Sequence, residues 1–89
     1  MFRNDQKGLI RALIYPIQFA RDPIDGIDHV LKIIVDERAL GASRSDYADA
    51  VDAALISDEA LSQLIPQPHS EATIRAYLSA LRTRLAAGG

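Results

Sequence analysis

The stretch Asp22-Pro23-Ile24-Asp25-Gly26-Ile27-Asp28-His29-Val30-Leu31-Lys32-Ile33-Ile34-Val35-Asp36-Glu37-Arg38-Ala39-Leu40-Gly41 decides the fold class. Its β-branched run Ile33-Ile34-Val35 invites a strand, and a strand here would make the chain a mixed one. Three residues fall short of the usual strand of about five or six, and they sit inside a longer repeat of roughly 3.6 residues. Ile24, Ile27, Leu31, Ile34 and Val35 share one side of that repeat. The ends are punctuated for a helix too. Asp22 is a good N-cap, Pro23 suits the first helical position, Asp25 meets the positive end of the helix dipole, and Gly41 can close the far end in a left-handed conformation. The segment is therefore predicted as a helix over 23–40. Gly26 costs it up to ~1 kcal/mol of propensity and marks a point of close helix contact.

Working outward, Leu9, Ile10, Leu13, Ile14 and Ile17 repeat as one helix face, with Asp5 as N-cap and a first helix from Gln6. Pro16 removes an amide and collides with the carbonyl four residues back, so this helix ends or kinks near Tyr15, and Phe19 completes the apolar side. Ser43 or Ser45 caps a third helix that buries Tyr47, Val51, Ala54 and Leu55. Ser57, with Asp58 and Glu59 behind it, reads as the cap of a short helix carrying Leu61, Leu64 and Ile65. Pro66 and Pro68 force an extended connector. A last helix opens at Ser70 and Glu71, buries Ile74, Leu78, Leu81 and Leu85, and frays at Gly88 and Gly89. The expectation is an all-α protein, one domain over 1–89, built as a four- to five-helix bundle whose core includes Leu31, Ile34, Leu55, Leu78 and Leu81.

Composition narrows the chemistry. The 89 residues contain no cysteine, which excludes disulfides, thiolate metal sites and a cysteine nucleophile. His29 and His69 have no carboxylate or second histidine at the spacing of a helical metal motif, so no metal and no cofactor is expected. The serines stand where helices start, and capping accounts for them; no triad can be assembled, and the dispersed glycines form no phosphate loop. Nor does any serine occupy the phosphopantetheine position of a carrier protein in Pro23-Ile24-Asp25-Gly26-Ile27. The chain is predicted to be no enzyme and to take no small-molecule substrate. With apolar runs too short for a membrane span and a polar start, a cytoplasmic location without membrane association is expected. Basic residues too few to form a phosphate-tracking face argue against nucleic acid as a partner.

What remains is charge. Residues 22–59 carry ten acidic groups against Lys32, Arg38 and Arg44, a net of minus seven, while the flanks are plus five. Asp22, Asp25 and Asp28 recur every three residues, as do Asp46, Asp49 and Asp52, and like charges at that spacing repel by a few tenths of a kcal/mol per pair. Helix starts explain Asp22, Asp25 and Asp46 in part. Asp28, Asp49 and Asp52 are explained less well, and Asp25, Asp28, Asp46, Asp49 and Asp52 are taken together as the partner-binding set. The tyrosines Tyr15, Tyr47 and Tyr77 sit at helical spacing, which favours core or boundary over interface.

A small helical protein with an acidic middle and no catalytic apparatus resembles the bacterial immunity proteins, which block the cationic nuclease domains of colicin-type and contact-dependent growth inhibition toxins. The likeness runs through the whole chain: Leu9-Ile10 and Leu13-Ile14 on the first helix, Phe19 to Ile27 leading into an acidic helix, and a closing helix from Ser70-Glu71 to Leu85. The paired tyrosines of the colicin DNase subgroup are absent. The resemblance implies a cognate toxin as partner, neutralised by carboxylates that stand in for nucleic-acid phosphates. The alternative is a small helical adaptor or regulator, as a homodimer joined through Leu/Ile faces.

Overall fold

The structure of the protein, a computed structural model, describes residues 2–87. Helix α1 (Asn4–Ile14) passes into a 3-10 turn (Tyr15–Ile17), and α2 (Ile27–Val30) is the middle of a longer helical segment. The two long helices are α3 (Arg44–Ile56) and α4 (Glu71–Ala87), joined through a 3-10 turn (Leu61–Gln63) and the proline connector. Helical windings cover 74% of the described residues and no strand occurs among them, so the run Ile33-Ile34-Val35 is helical as its surroundings require. Gly88 and Gly89, expected to release the last helix, lie outside the described residues.

The start of α1 departs from expectation for a local reason. Gln6, not Asp5, closes it: Gln6 Oε1 accepts the Arg3 N–H at 2.9 Å, and the helix begins at Asn4. Asp5 pairs with the Arg3 side chain instead. At the far end Pro16 has no N–H to give. As the chain tightens to 3-10 winding, the Leu13 carbonyl loses the donor three residues on, and the buried Tyr77 hydroxyl of α4 donates to it at 2.7 Å. The proline turn after the first helix is thus tied to the last helix through Tyr77.

The second segment winds in three ways: 3-10 over Pro23–Gly26, α over Ile27–Val30, and π over Leu31–Asp36. Asp22 caps it as predicted, Oδ1 accepting the Ile24 N–H at 3.1 Å. The helix stops at Asp36 rather than Leu40, because Arg38 enters the left-handed region (φ 55) and turns the chain before Gly41 (φ 71) can. The π winding also moves the buried stripe. Its i→i+5 repeat sets Val30 above Val35, both in the core, and leaves Ile34, expected to be buried, on a half-buried flank. Ile24 is 48% exposed, and Pro23 takes the buried place beside it.

Ser43, not Ser45, caps α3: its Oγ accepts the Asp46 N–H at 3.1 Å while Asp46 Oδ2 accepts the Ser43 N–H at 2.9 Å. The buried stripe of α3 is Tyr47, Ala50, Val51 and Ala54, centred on small residues that let α1 and α4 approach, so Leu55 is only partly buried. Ser57 caps no short helix. It closes α3, its Oγ donating to the Ala54 carbonyl at 2.8 Å, and only the single turn Leu61–Gln63 follows. Ser70 caps α4 as expected, accepting the Thr73 N–H.

One continuous core results. Ile10, Leu13, Ile14 and Ile17 from α1 and its turn meet Val30 and Val35, Tyr47 and Val51, and Ile74, Leu78 and Leu81 of α4, all within 2% of full burial. Phe19 does not join them; it is 91% exposed, as Tyr15 is at 66%. Tyr47 and Tyr77 are core residues.

Candidate functional site

The five carboxylates singled out by spacing do not form one patch. Asp28 of α2 is paired with Arg84 and Asp52 of α3 with Arg82, the latter at 2.7 Å. Arg82 and Arg84 are two residues apart on α4 and so leave it roughly 200° apart around its axis. Asp28 and Asp52 therefore lie on opposite sides of α4, each half neutralised. Asp46 serves the capping box of α3 but stays exposed. Asp25 is exposed in the tight turn before α2, three residues ahead of Asp28 and on a different segment from the α3 carboxylates. Asp49 is exposed on α3, where its charge helps raise the pKa of Arg82, which bonds chiefly to Asp52.

Asp46 and Asp49 share a different company. An open groove of about 710 Å³ lies between α1 and α3. The α3 side of the groove is Asp46, Asp49, Ala53 and Ile56, spaced i, i+3, i+7 and i+10, a second stripe beside the buried one. Such spacing sets the four residues in a row on one face of α3. Gly8 and Leu9 line the α1 side, Arg3 and Asp5 neutralise each other at its edge, and Leu40, Gly41 and Ala42 close one end.

Three features of the groove cost the isolated chain something. Ile56 is 83% exposed, and Leu40 is 70% exposed while held at φ 63, a left-handed conformation that costs a residue with a Cβ roughly 1–2 kcal/mol. Gly8 sits in the interior of α1, where alanine would be better by about 0.5–1 kcal/mol. A Cβ built there meets nothing within 4 Å. Among the described residues no tertiary contact calls for glycine at position 8.

The charged residues that sequence reasoning passed over are those that hold α3 and α4 together. Glu71, in the first turn of α4, accepts the backbone N–H groups of Leu61 at 3.0 Å and Ser62 at 2.8 Å and the Arg75 Nε–H at 2.8 Å. Partial burial opposes its charge, yet the bonds from Ser62, Leu61 and Arg75 outweigh that and hold its pKa below the usual carboxylate value. Arg75 also donates to the carbonyls of Leu55, Ser57 and Glu59. In the proline connector Gln67 bonds Ser62 and His69, and His69 Nε2 lies 2.9 Å from the Ile17 carbonyl, so His69 is a half-buried tie rather than a surface residue. Apart from the i,i+4 pair Glu71–Arg75, no spacing rule finds these bonds, because their partners are backbone groups.

Among the described residues no group of three or more His, Asp or Glu side chains could hold a metal ion, and no helix is long and apolar enough to cross a membrane. Comparison of the chain with protein-family models, with curated proteins and with solved structures returns no match.

Proposed function

We propose that this chain is a binding protein of the immunity type, which captures and neutralises a cationic nuclease domain of a cognate bacterial toxin without catalysing a reaction itself. The observation that supports it best is the α3 seam, where exposed Asp46 and Asp49 continue past half-buried Ala53 to the exposed apolar side chain of Ile56. Carboxylates beside an apolar strip suit a protein surface that is basic because it binds nucleic acid. The acidic residues mimic phosphates, and the apolar strip adds the desolvated contact on which tight complexes depend. The whole-chain resemblance to immunity proteins names the toxin class and the cytoplasm of the producing cell as the place of action. Asp25, Asp28 and Asp52 contribute to the long-range field rather than to one contact patch.

Association kinetics against a basic nuclease toxin domain, at two salt concentrations, test the reading with the wild type and the Asp49→Lys/Asp52→Lys double variant. Complementary charge acts mainly on the association rate and is screened over about 8–10 Å at physiological salt. Capture should slow with salt in the wild type and be slower still in the variant. Equal rates in all four experiments, or failure of the chain to protect cells that express the toxin, would overturn it.

A second reading, a self-associating adaptor, draws on the exposed Tyr15, Phe19 and Ile24 around the turn between α1 and α2. Most of its Leu/Ile side chains are already spent on the core, so a dimer of this kind would rest on this small apolar knob. Sedimentation at rising concentration separates the two: a monomer supports the immunity reading, and a dimer lost on Phe19→Ser supports the adaptor.

A further inference from the structure

The groove between α1 and α3 has a shape and a charge order that point to one kind of occupant. We propose that it is the docking site for a helix of the protein partner, laid along Asp46, Asp49, Ala53 and Ile56 and crossing α1 closely over Gly8. This rests on the reading of the chain as a binding protein for a basic partner and adds what part of that partner is held.

The seam runs from Asp46 to Ile56 of α3, a rise of roughly 15 Å, the length of a short helix of three turns. Two helices leave between them a channel into which the ridge of a third can pack, with side chains entering at i, i+3 or i+4, and i+7. The order of residues along the channel sets the chemistry of the occupant. Its end at Asp46 and Asp49 calls for lysine or arginine, whereas Ala53 and Ile56 call for apolar side chains, with Leu40 as a further apolar contact on the rim. Gly8 is the independent sign. Among the described residues, nothing beyond its chain neighbours and its own helix backbone lies within 4 Å of where its Cβ would stand, so the missing side chain leaves open room on the groove side that a partner's backbone can approach. Small residues at a helix crossing let two backbones come close.

A second copy of the chain fits this description poorly. The cations of its α1 and α4 are already engaged: Lys7 with Glu59, Arg11 with the Leu64 carbonyl, Arg75 with three carbonyls and Glu71, Arg82 with Asp52, and Arg84 with Asp28. The occupant is therefore a helix of a different protein.

The test is a selection of helix-length random peptides displayed on phage against the full chain, followed by affinity measurement of the enriched peptides on wild type, Gly8→Leu, Ile56→Glu and Asp49→Lys. Enriched sequences should carry an apolar i, i+3/i+4, i+7 seam with lysine or arginine toward one end. They should become helical on binding and lose about tenfold or more in affinity on Gly8→Leu, whose own thermal midpoint should equal or exceed that of the wild type. Ile56→Glu, at an exposed site, gives the same answer should Gly8→Leu fail to fold. Absence of enrichment, a proline-rich or acidic consensus, or full affinity on both groove variants would overturn the proposal. So would self-association of the wild type that Gly8→Leu abolishes, which would give the groove to a second copy. Binding that depends on Gly8 and Ile56 but not on Asp49 or salt would keep the groove and remove electrostatic capture instead.

Discussion

Arg44 and Arg75 cap each other's helices. Arg75, in the second turn of α4, donates to the carbonyls of Leu55 at 3.2 Å and Ser57 at 3.0 Å where α3 ends; Arg44, the first residue of α3, donates to those of Leu85 at 3.3 Å and Arg84 at 3.2 Å where α4 ends. The last four carbonyls of a helix have no donor within it, and a cation there also complements the negative end of the dipole. Two antiparallel helices with an arginine near each start can satisfy both ends reciprocally. The pair is a clamp on the α3/α4 half of the core.

Arg75→Met retains the aliphatic stem and loses every donor, leaving Glu71 without its cation and three carbonyls short of a partner. Hydrogen bonds to charged groups contribute more than neutral ones, and the expected loss is about 2–3 kcal/mol in urea unfolding. Arg75→Lys should recover only part of it, because one ammonium cannot reproduce the planar fork that reaches Leu55, Ser57, Glu59 and Glu71 together. A lysine variant as stable as the wild type would show that the charge alone matters.

Glu71 gives the clamp a pH dependence. Its native pKa is depressed below the unfolded value of about 4.3, so its contribution is complete above that value and is lost as pH falls through the native one. Urea midpoints measured from pH 7 down to pH 3 should fall in the wild type and fall less in Glu71→Gln, which starts lower because the amide meets the Leu61 and Ser62 N–H groups with one carbonyl oxygen. Parallel curves would mean that Glu71 keeps no special charge in the fold.

At the alkaline end Tyr77 acts in the opposite sense. Burial raises its pKa well above the unfolded value of about 10, so the native state holds a proton that the unfolded chain gives up, and stability falls as pH rises past that value. Tyr77→Phe should cost about 1–3 kcal/mol at neutral pH, since the buried Leu13 carbonyl loses its donor, and should flatten the decline above pH ~10. Tyr47, whose pKa burial also raises, keeps a residual slope in both proteins.

The sequence disclosed this protein unevenly, and the division follows the range of the forces. Helical periodicity is local, and it placed Ile10, Leu13, Ile74, Leu78 and Leu81 in the core and rejected a strand at Ile33 to Val35. Capping is equally local, and Asp22, Ser43 and Ser70 stand where their side chains predict. Winding is set by contact with the rest of the fold, so the π turn that stacks Val35 on Val30 and leaves Ile34 half-buried left no mark in the pattern. The acidic residues show the same limit. Their spacing is visible in the sequence, but the pairing of Asp28 with Arg84 and of Asp52 with Arg82, 56 and 30 residues away, is not. The groove beside Asp46 and Asp49 needed α1 and α3 in place before Gly8 acquired a meaning.

Leu40 tests whether its strained backbone serves the fold. Leu40→Gly removes the cost of a left-handed Cβ and gives up an apolar side chain that is 70% exposed, so unfolding should become harder by roughly 1 kcal/mol once glycine's greater freedom in the unfolded chain is set against the gain. A loss of stability would instead assign Leu40 a packing role within the chain.

The arginine pairing of the acidic residues separates Asp49 from its neighbours. Asp52→Asn removes one charge but frees Arg82 beside the seam, and Asp28→Asn likewise frees Arg84 on the far side of α4, away from the groove. Asp49 has no such tie by hydrogen bond or ion pair among the described residues, and it stands inside the groove. Single neutralisations should therefore rank by position and not by charge: at low salt Asp49→Asn slows association with a basic nuclease domain, Asp52→Asn slows it by a comparable or larger factor because the released Arg82 repels the same partner, and Asp28→Asn has the smallest effect. Raising the salt should compress all three toward the wild type, since the differences lie in the encounter. Equal slowing by Asp28→Asn and Asp49→Asn would mean that only the net charge of the chain is felt, and that the α3 face is not where the partner lands.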